Sequence, residues 1–505
     1  DDNKTLHRLF ADLVTLPSGS EERINKFRTI IRSSKSKPFE NQTAALFRTS
    51  KVFANILSIC TREMTDRAPH VVTSALRIVE LAIIKDFDNR IYFHANGAVG
   101  QISSILSFAL TDAIEKVDPE SSNRVKSEWN HQLLIACLRV LAVSLNTSKV
   151  EWIPYEYYEN IATLFTIARH VEKLGELYRL YELQLGASGS IRKTQTMDVM
   201  LNGLHFLSSF ASSLVQDNYN YSSSSKKDNN NRKNIRPLPS NVSESLGGTC
   251  ISGLLSLLFS MADSKESWET GIVLNALDVM NIVARLDVRM FQRLLSSPSL
   301  QPQFYHVLNS LLDKSSMSDI KEGANMEVKD EVIKKSLILM GYHALSCQKN
   351  QESLNWGTQT TALQRICSLP FRFFSEEANK HVLFPTLIAV CYENKRNTSV
   401  VEQELSVDMI VEYIEKMMES RKNSEAQGKI LPQERDDLDN KENDPVTRIK
   451  NDELDSKKGN DKDGDMWSLV ISKGKNADPL QWNFEQRFPA SLWDDALKFF
   501  ISMSS

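Results

Sequence analysis

The chain of 505 residues lacks any apolar run that approaches the length needed to cross a bilayer. A membrane-spanning helix needs about 18 or more apolar residues in succession, so the sequence predicts no membrane insertion. Its glycines do not form a phosphate-binding loop either, because Gly97, Gly100, Gly247 and Gly248 lie outside the GxGxxG and GxxxxGK[ST] patterns. Nucleotide chemistry is therefore not supported.

Clusters of metal-binding or nucleophilic side chains are also missing. The nine histidines contain no HExxH pair and no cysteine partner at zinc spacing, and no nucleophile elbow surrounds a serine. The six cysteines stand singly among apolar residues, which predicts buried, reduced thiols of the kind found in the cytosol. These are Cys60, Cys137, Cys250, Cys347, Cys367 and Cys391. We predict no metal, no cofactor and no enzymatic activity.

Charge of one sign is scarce, since the formal net charge is −4. The segment 419–465 holds 14 acidic and 10 basic residues, so the remainder of the chain is formally neutral. No global field attracts nucleic acid or a membrane surface, and any such contact must come from local basic patches.

What the chain does contain is helical periodicity. In Ala75 to Leu110, apolar residues at helical spacing are followed by the polar turn Asp86 to Arg90, a short helical turn that ends at Gly97, and a second helix from Ala98. A helix, a short turn and a second helix within about 40 residues are typical of an armadillo or HEAT unit, which buries its apolar face on its neighbours.

Similar helical patterns recur along the chain, and strand-like alternation is nearly absent. They cover 42–62, 130–147, 158–184, 195–216, 246–262, 270–295, 303–313, 327–347 and 399–418. The sequence thus predicts an all-α fold, an armadillo/HEAT-like α-solenoid with irregular repeats over 1–418.

Three segments are predicted to lie outside that regular array. Residues 218–241 are polar and of low complexity, which predicts a disordered loop within the solenoid. Residues 419–465 are rich in charge and poor in apolar side chains, which predicts a disordered acidic linker. Residues 466–505 are aromatic but too few to fold alone, so we expect this segment to dock on the solenoid.

Two basic patches are candidates for contact with RNA phosphates or with the ribosome. In 21–37, three cations share one helix face; they are Arg28, Arg32 and Lys35. The second patch lies in the polar loop and consists of Lys226, Lys227, Arg232, Lys233 and Arg236. A solvated helix face and a solubilising insert are the alternative interpretations. Neither patch contains the interleaved aromatic residues of a base-stacking platform.

Aromatic residues near the C-terminus form the other candidate site. They are Phe371, Phe373, Phe374, Trp493, Phe499 and Phe500. This set is compatible with a groove that binds a protein partner and with packing in the core, and the sequence leaves both open.

Phe371, Phe373 and Phe374 belong to the segment with the highest density of apolar anchors and helix breaks in the chain, 363–406, whose sequence is LQRICSLPFRFFSEEANKHVLFPTLIAVCYENKRNTSVVEQELS. Pro370 and Pro385 predict breaks there, with two short helices packed around aromatic joints. This segment, with the stretch RFPASLWDDALKFF at 487–500, resembles the C-terminal helical region of the S-phase cyclin A-associated proteins in the endoplasmic reticulum.

That resemblance implies a non-catalytic adaptor in the cytoplasm, at the cytosolic face of the endoplasmic reticulum. In the family, this region associates with translating ribosomes through the RNA backbone. It links a tetratricopeptide-repeat protein that recognises nascent tubulin to the cytoplasmic deadenylase complex, for decay of tubulin mRNA. The alternative is a scaffold for cyclin A with its kinase, or for microtubule-related proteins, without RNA contact. Cyclin A is expected to bind through regions outside this chain.

Overall fold

A computed structural model describes the chain in several stretches. They are 52–65, 68–84, 86–117, 131–145, 169–178, 190–224, 242, 244–263, 270–316, 323–356, 360–426 and 492–504, with residues 12, 15–17, 20, 22–23, 25–26 and 29–30. Every regular element in these stretches is helical and none is a strand, which confirms the predicted all-α class.

Eighteen α-helices are named here in chain order. In the first half they are α1 (Val52–Thr65), α2 (Pro69–Ile84), α3 (Phe87–Ala95), α4 (Ala98–Val117), α5 (His131–Leu145), α6 (Ser190–Ser224) and α7 (Ile251–Asp263), which continues a π-helical turn, Ser245–Cys250. In the second half they are α8 (Thr270–Leu286), α9 (Val288–Leu295), α10 (Gln301–Ser316), α11 (Gly323–Ala344), α12 (Gln348–Ser353), α13 (Ala362–Cys367), α14 (Arg372–Ser375), α15 (Glu377–Cys391), α16 (Lys395–Glu404), α17 (Asp408–Ala426) and α18 (Trp493–Ser504).

The helices pack in two neighbouring rows, which is compatible with the predicted solenoid. In the first row α2, α5, α6, α8, α11, α15 and α17 each contact the next. In the second row the same holds for α7, α10, α13, α16 and α18. The apolar side chains between the rows form one continuous buried core, because each helix covers the apolar face of its neighbour.

Short helices join the rows, and local chemistry fixes where each begins. Asp86 caps α3 and Asp287 caps α9, because each carboxylate accepts a hydrogen bond from a backbone N–H three residues later. Before α12 and α16, Ser346 and Glu393 adopt left-handed backbone angles (φ 50 and 60). These two turns lie about 47 residues apart, within the spacing of armadillo and HEAT repeats.

The unit predicted in Ala75 to Leu110 is present as α2, α3 and α4, and Gly97 ends α3 with φ 68. Residues 87–90 belong to α3, although the sequence suggested a turn there, because Asp86 supplies the cap that starts the helix early. Asn89 and Arg90 are buried and donate to the carbonyls of Ala82 and Ile83 at the end of α2.

Several predicted boundaries were wrong. The single helix expected over 270–295 is divided at Asp287, and the one over 399–418 is divided between Glu404 and Asp408. In both cases a turn is fixed by a side chain: Asp287 caps α9, and Glu402 accepts a hydrogen bond from Val407 N at 2.7 Å. Apolar periodicity continues across such turns and does not reveal them.

The break predicted at Pro385 is absent, because Pro385 lies inside α15. The φ angle of proline suits a helix, and only the carbonyl four residues earlier loses its partner. Leu383, Phe384 and Leu387 around it are buried, and this burial holds the helix together across the proline.

Two of the segments predicted to be disordered overlap described helices at their first residues. The loop was placed at 218–241, but α6 runs on to Ser224, and residues 225–241 lie outside the described residues. The linker was placed at 419–465, but α17 runs on to Ala426, and residues 427–491 lie outside the described residues. Extending an existing helix costs little, so polar residues continue one that packing has already formed.

Hydrogen bonds from the short helices tie successive units together. Gln292 Nε2 on α9 donates to Tyr342 O and Leu345 O at 2.9 and 2.7 Å, at the end of α11. Gln351 Nε2 on α12 donates to Ala389 O and Tyr392 O at 2.9 and 3.2 Å, at the end of α15.

The first half of the chain uses histidine for the same contact. His94 Nε2 on α3 donates to Ser144 O at 2.9 Å, near the end of α5. The last carbonyls of a helix have no partner within the helix, and these side chains supply one across each boundary.

We expect Gln351→Ala to lower the free energy of unfolding by about 2–3 kcal/mol, because it leaves two buried carbonyls without a donor. Gln348→Ala is the matched control, since Gln348 is an exposed residue of the same helix and should cost about 0.5 kcal/mol or less. Denaturant unfolding followed by circular dichroism measures both. Equal losses in the two variants would contradict the bridging role of Gln351.

A second prediction concerns His94, whose pKa burial lowers to about 4. The unfolded chain takes up a proton near pH 6.5, whereas the folded chain resists it, so stability is lost as pH falls from 6.5 towards 4. His94→Gln keeps an N–H donor for Ser144 and removes the titration. Between neutral pH and pH 5, wild type should therefore lose about 2 kcal/mol more than this variant. His70→Gln, at an exposed histidine on α2, should keep the wild-type dependence in the same unfolding series.

Candidate functional site

The basic residues singled out from the sequence lie outside the described residues, so their role stays a prediction. This applies to Arg28, Arg32, Lys35, Lys226, Lys227, Arg232, Lys233 and Arg236. Next to the first patch, Arg23 is buried, where its guanidinium donates to the carboxylate of Glu63 and to Leu16 O. Lys26 donates to the carboxylate of Asp12 at 3.1 Å.

The phenylalanines around α14 divide between core and surface. Phe373 and Phe374 are buried, whereas Phe371 is 80% exposed. Arg372 holds this short helix against α11, because its guanidinium donates to both carboxylate oxygens of Asp330 at 2.6 to 3.1 Å. The backbone is thus fixed with Phe371 directed into solvent.

The tail aromatics pack on the end of the array. Trp493 and Phe500 of α18 are buried where this helix contacts α16 and α17. Phe499 meets the edge of the Tyr392 ring with centroids 5.8 Å apart, and the Arg421 guanidinium lies 5.7 Å from the centre of the Trp493 ring. The tail aromatics therefore cover α16 and α17, while Phe373 and Phe374 belong to the core around α14 and α15.

The structure brings together a set of cations that the sequence did not indicate. We call it the cationic edge; it consists of Arg289 and Arg293 on α9, Lys349 on α12, and Lys395 and Arg396 on α16, all exposed. Arg289, Lys349 and Arg396 are each the second residue of their short helix. Successive units therefore present a cation at the same position.

Direct hydrogen bonds place the three short helices side by side. Ser296 Oγ, just after α9, donates to Asn350 Oδ1 on α12 at 2.5 Å. Asn397 Nδ2 on α16 donates to Gln351 O on α12 at 2.8 Å. The three equivalent positions therefore belong to adjacent units of the array.

The cationic edge is not neutralised from within the described part of the chain. None of its five side chains forms an ion pair with a described carboxylate. The nearest acids in sequence are Asp287, Glu352 and Glu393; Asp287 accepts from Met290 N, and Glu352 accepts from Gln348 at 3.1 Å. Solvated cations at regular spacing are suited to a polyanion.

Sequence analysis missed this surface because its members lie far apart in the chain. Each contributes only one or two charges to its own segment, and no basic cluster appears there. The usable signal is the position of a cation two residues after a turn, in Asp287-Val288-Arg289, Cys347-Gln348-Lys349 and Asn394-Lys395-Arg396. Recognising it requires knowing that these turns are equivalent.

Burial favours the uncharged form of several cysteines and of His343. Burial raises the pKa of the Cys60, Cys250 and Cys367 thiols to about 12, and it lowers the pKa of His343 to about 3. Five of the six cysteines are buried as predicted, whereas Cys347 is half-buried because it precedes α12 at a turn. Over the described ranges, no group of three His, Cys, Asp or Glu residues is placed to hold a metal.

Among the described residues, one helical stretch is long and apolar enough to cross a membrane by length and composition: Ser245–Ala262, with a mean hydropathy of 1.5. The sequence had suggested that no such stretch exists. A second would arise only if Phe87–Ala95 and Ala98–Glu115, bent by 78°, were counted as one span. In the structure 65% of Ser245–Ala262 is buried, and its helix α7 packs on α10. This is the environment of a core helix.

The described part of the chain thus belongs to the class of proteins built from packed helical units, and it exposes a row of cations along one edge. No family model matches the chain. The chain is similar to the human protein named S phase cyclin A-associated protein in the endoplasmic reticulum, with 24% identity over 276 residues. The match covers 51% of this chain and 18% of that protein, so the chain spans about a fifth of its length, and it confirms the resemblance predicted from the sequence.

The contrast around α14 can be tested by truncation of its aromatic residues. Phe373→Ala should lower the free energy of unfolding by about 3–5 kcal/mol, because it opens a cavity in the core. Phe371→Ala should change it by no more than about 0.5 kcal/mol, since that ring is in solvent. Thermal and denaturant unfolding of both variants measure this difference, and a large loss in Phe371→Ala would mean that its ring is packed.

Proposed function

We propose that this chain is a non-catalytic adaptor that associates with translating ribosomes through RNA phosphates. In this role it links a tetratricopeptide-repeat protein that recognises nascent tubulin to the cytoplasmic deadenylase complex, and so promotes decay of tubulin mRNA. It acts in the cytoplasm, at the cytosolic face of the endoplasmic reticulum. The observation that carries the RNA contact is the cationic edge, with five exposed cations that lack ion-pair partners among the described residues.

The physical basis is counterion release. Each RNA phosphate neutralised by a lysine or arginine releases a condensed cation, so binding weakens steeply with salt. Five contacts along a single strand correspond to a slope of about −3 to −4 in a plot of log affinity against log salt. The spacing of the short helices lets one backbone contact several units at once.

The adaptor role rests on the resemblance and on the character of the surface. An array of helical units offers a long surface on which several proteins can bind together. Burial raises the pKa of the thiols and lowers the pKa of His343, so these side chains stay uncharged at neutral pH. Such groups are better suited to structural roles than to acting as nucleophiles or bases.

A scaffold for cyclin A with its kinase, or for microtubule-related proteins, is the second candidate. The observation in its favour is the name of the similar human protein, which is cyclin A-associated and placed in the endoplasmic reticulum. In this alternative the cationic edge binds no RNA.

The test is charge reversal at the three equivalent positions, Arg289→Glu, Lys349→Glu and Arg396→Glu together. We expect loss of co-sedimentation with translating ribosomes at moderate salt. The salt slope for binding to ribosomal RNA should fall in magnitude by about 2–3, because each lost phosphate contact removes about 0.7–0.9.

The matched control reverses three other exposed lysines, Lys416, Lys422 and Lys498 on α17 and α18, with the same change in net charge. The control should retain binding. If both triple variants bind ribosomes like wild type, the RNA contact is wrong. If wild type instead recovers kinase or cytoskeletal proteins from cells and no ribosomes, the scaffold alternative is favoured.

A further inference from the structure

Among the large apolar side chains that the structure leaves exposed, one lies on the cationic edge. Phe108, Met326 and Ile501 are on other helices and Phe371 precedes α14, whereas Trp356 closes the turn that follows α12, the helix of Lys349. The indole is 55% exposed, while Leu354, two residues earlier, is 1% exposed. Single exposed apolar residues are common on protein surfaces, so the neighbouring cations are what distinguish Trp356.

The backbone holds Trp356 in a fixed position. Leu354 N, Asn355 N and Trp356 N donate to the carbonyls three residues earlier at 3.1 to 3.2 Å, so the helical path of α12 continues as far as the tryptophan. Four α-helical steps from Lys349 to Ser353 and three steps of 3₁₀ type to Trp356 make about two full turns and about 12 Å of rise, so the two residues lie on roughly the same side. Trp356 and Lys349 are therefore neighbours on one surface, with room for a short stretch of strand between them.

The support beneath this turn is rigid. Ser353 is buried and hydrogen-bonds to the Tyr305 hydroxyl, which lies 3.0 Å from His343 Nε2. Leu354 is anchored from the other side, because its carbonyl accepts a hydrogen bond from Leu363 N at 3.3 Å. An exposed aromatic residue on a fixed backbone, beside cations that form no ion pair with a described residue, is the combination that binds single-stranded nucleic acid: bases stack on the ring while cations hold the phosphates.

We propose that Trp356 is a stacking position for an unpaired RNA base, and that the cationic edge holds the phosphates on either side of that base. This inference rests on the RNA contact proposed above and adds the kind of RNA. The partner is an unpaired segment, and it is selected without a particular sequence, because every base has a face that can stack. An acidic protein segment would match the cations but would leave the indole face unused.

The experiment compares two probes with the full chain by fluorescence anisotropy: a single-stranded RNA of about 12 nucleotides and a blunt RNA duplex of the same length. Trp356→Ala should weaken binding of the single strand by about 10- to 100-fold and leave duplex binding unchanged. Trp356→Phe, which keeps an aromatic face, should retain most of the affinity. Circular dichroism establishes that both variants remain folded.

The failures of the two proposals can be told apart. If reversal of Arg289, Lys349 and Arg396 weakens both probes while Trp356→Ala has no selective effect, the RNA contact stands and stacking is wrong. If the reversal weakens neither probe, the RNA contact itself is wrong. If the chain binds polyglutamate more tightly than single-stranded RNA, and reversal of Arg289, Lys349 and Arg396 abolishes that binding while Trp356→Ala does not, the occupant is an acidic protein segment and the inference is overturned.

Discussion

The array depends on the pairing of helix ends with side chains from the preceding unit. A long helix leaves its last carbonyls without partners, and at two boundaries in the second half a glutamine from a short helix supplies the missing donors. Apolar burial drives the helices together, but it does not by itself fix how far one helix is shifted along the next. Two hydrogen bonds to defined carbonyls fix that shift, and so they set the register between units.

This register also brings the residues of the cationic edge, which are far apart in sequence, onto one surface. Because Gln292 and Gln351 fix α9 and α12 against the ends of α11 and α15, the starts of the short helices come into line. Arg289, Lys349 and Arg396 then lie in a row, although none is near another in sequence. The cationic edge is thus a by-product of the contacts that stabilise the fold, with one charge at each equivalent exposed position.

The sequence revealed the helices better than their ends. Periodic apolar residues from Ala75 to Leu110 predicted α2, α3 and α4, and the absence of strand patterns predicted the fold class. The helix boundary at Asp287 was missed, because an aspartate that caps a new helix resembles any surface residue. A break at Pro385 was predicted wrongly, because a proline within a buried helix resembles a helix end. The cationic edge could not be found locally, because it exists only after α9, α12 and α16 are placed together.

The return of α18 onto α16 and α17 has a consequence for how this chain can change over time. Trp493 and Phe500 fix the end of the intervening stretch close to where α17 leaves the array, so both of its attachment points belong to one packed corner. Closing a longer connection between fixed points costs little, about 0.6 kcal/mol for each doubling of its length. A longer or shorter connection would therefore leave this corner almost equally stable, whereas the two helices that flank it must be inherited together, because they pack on each other.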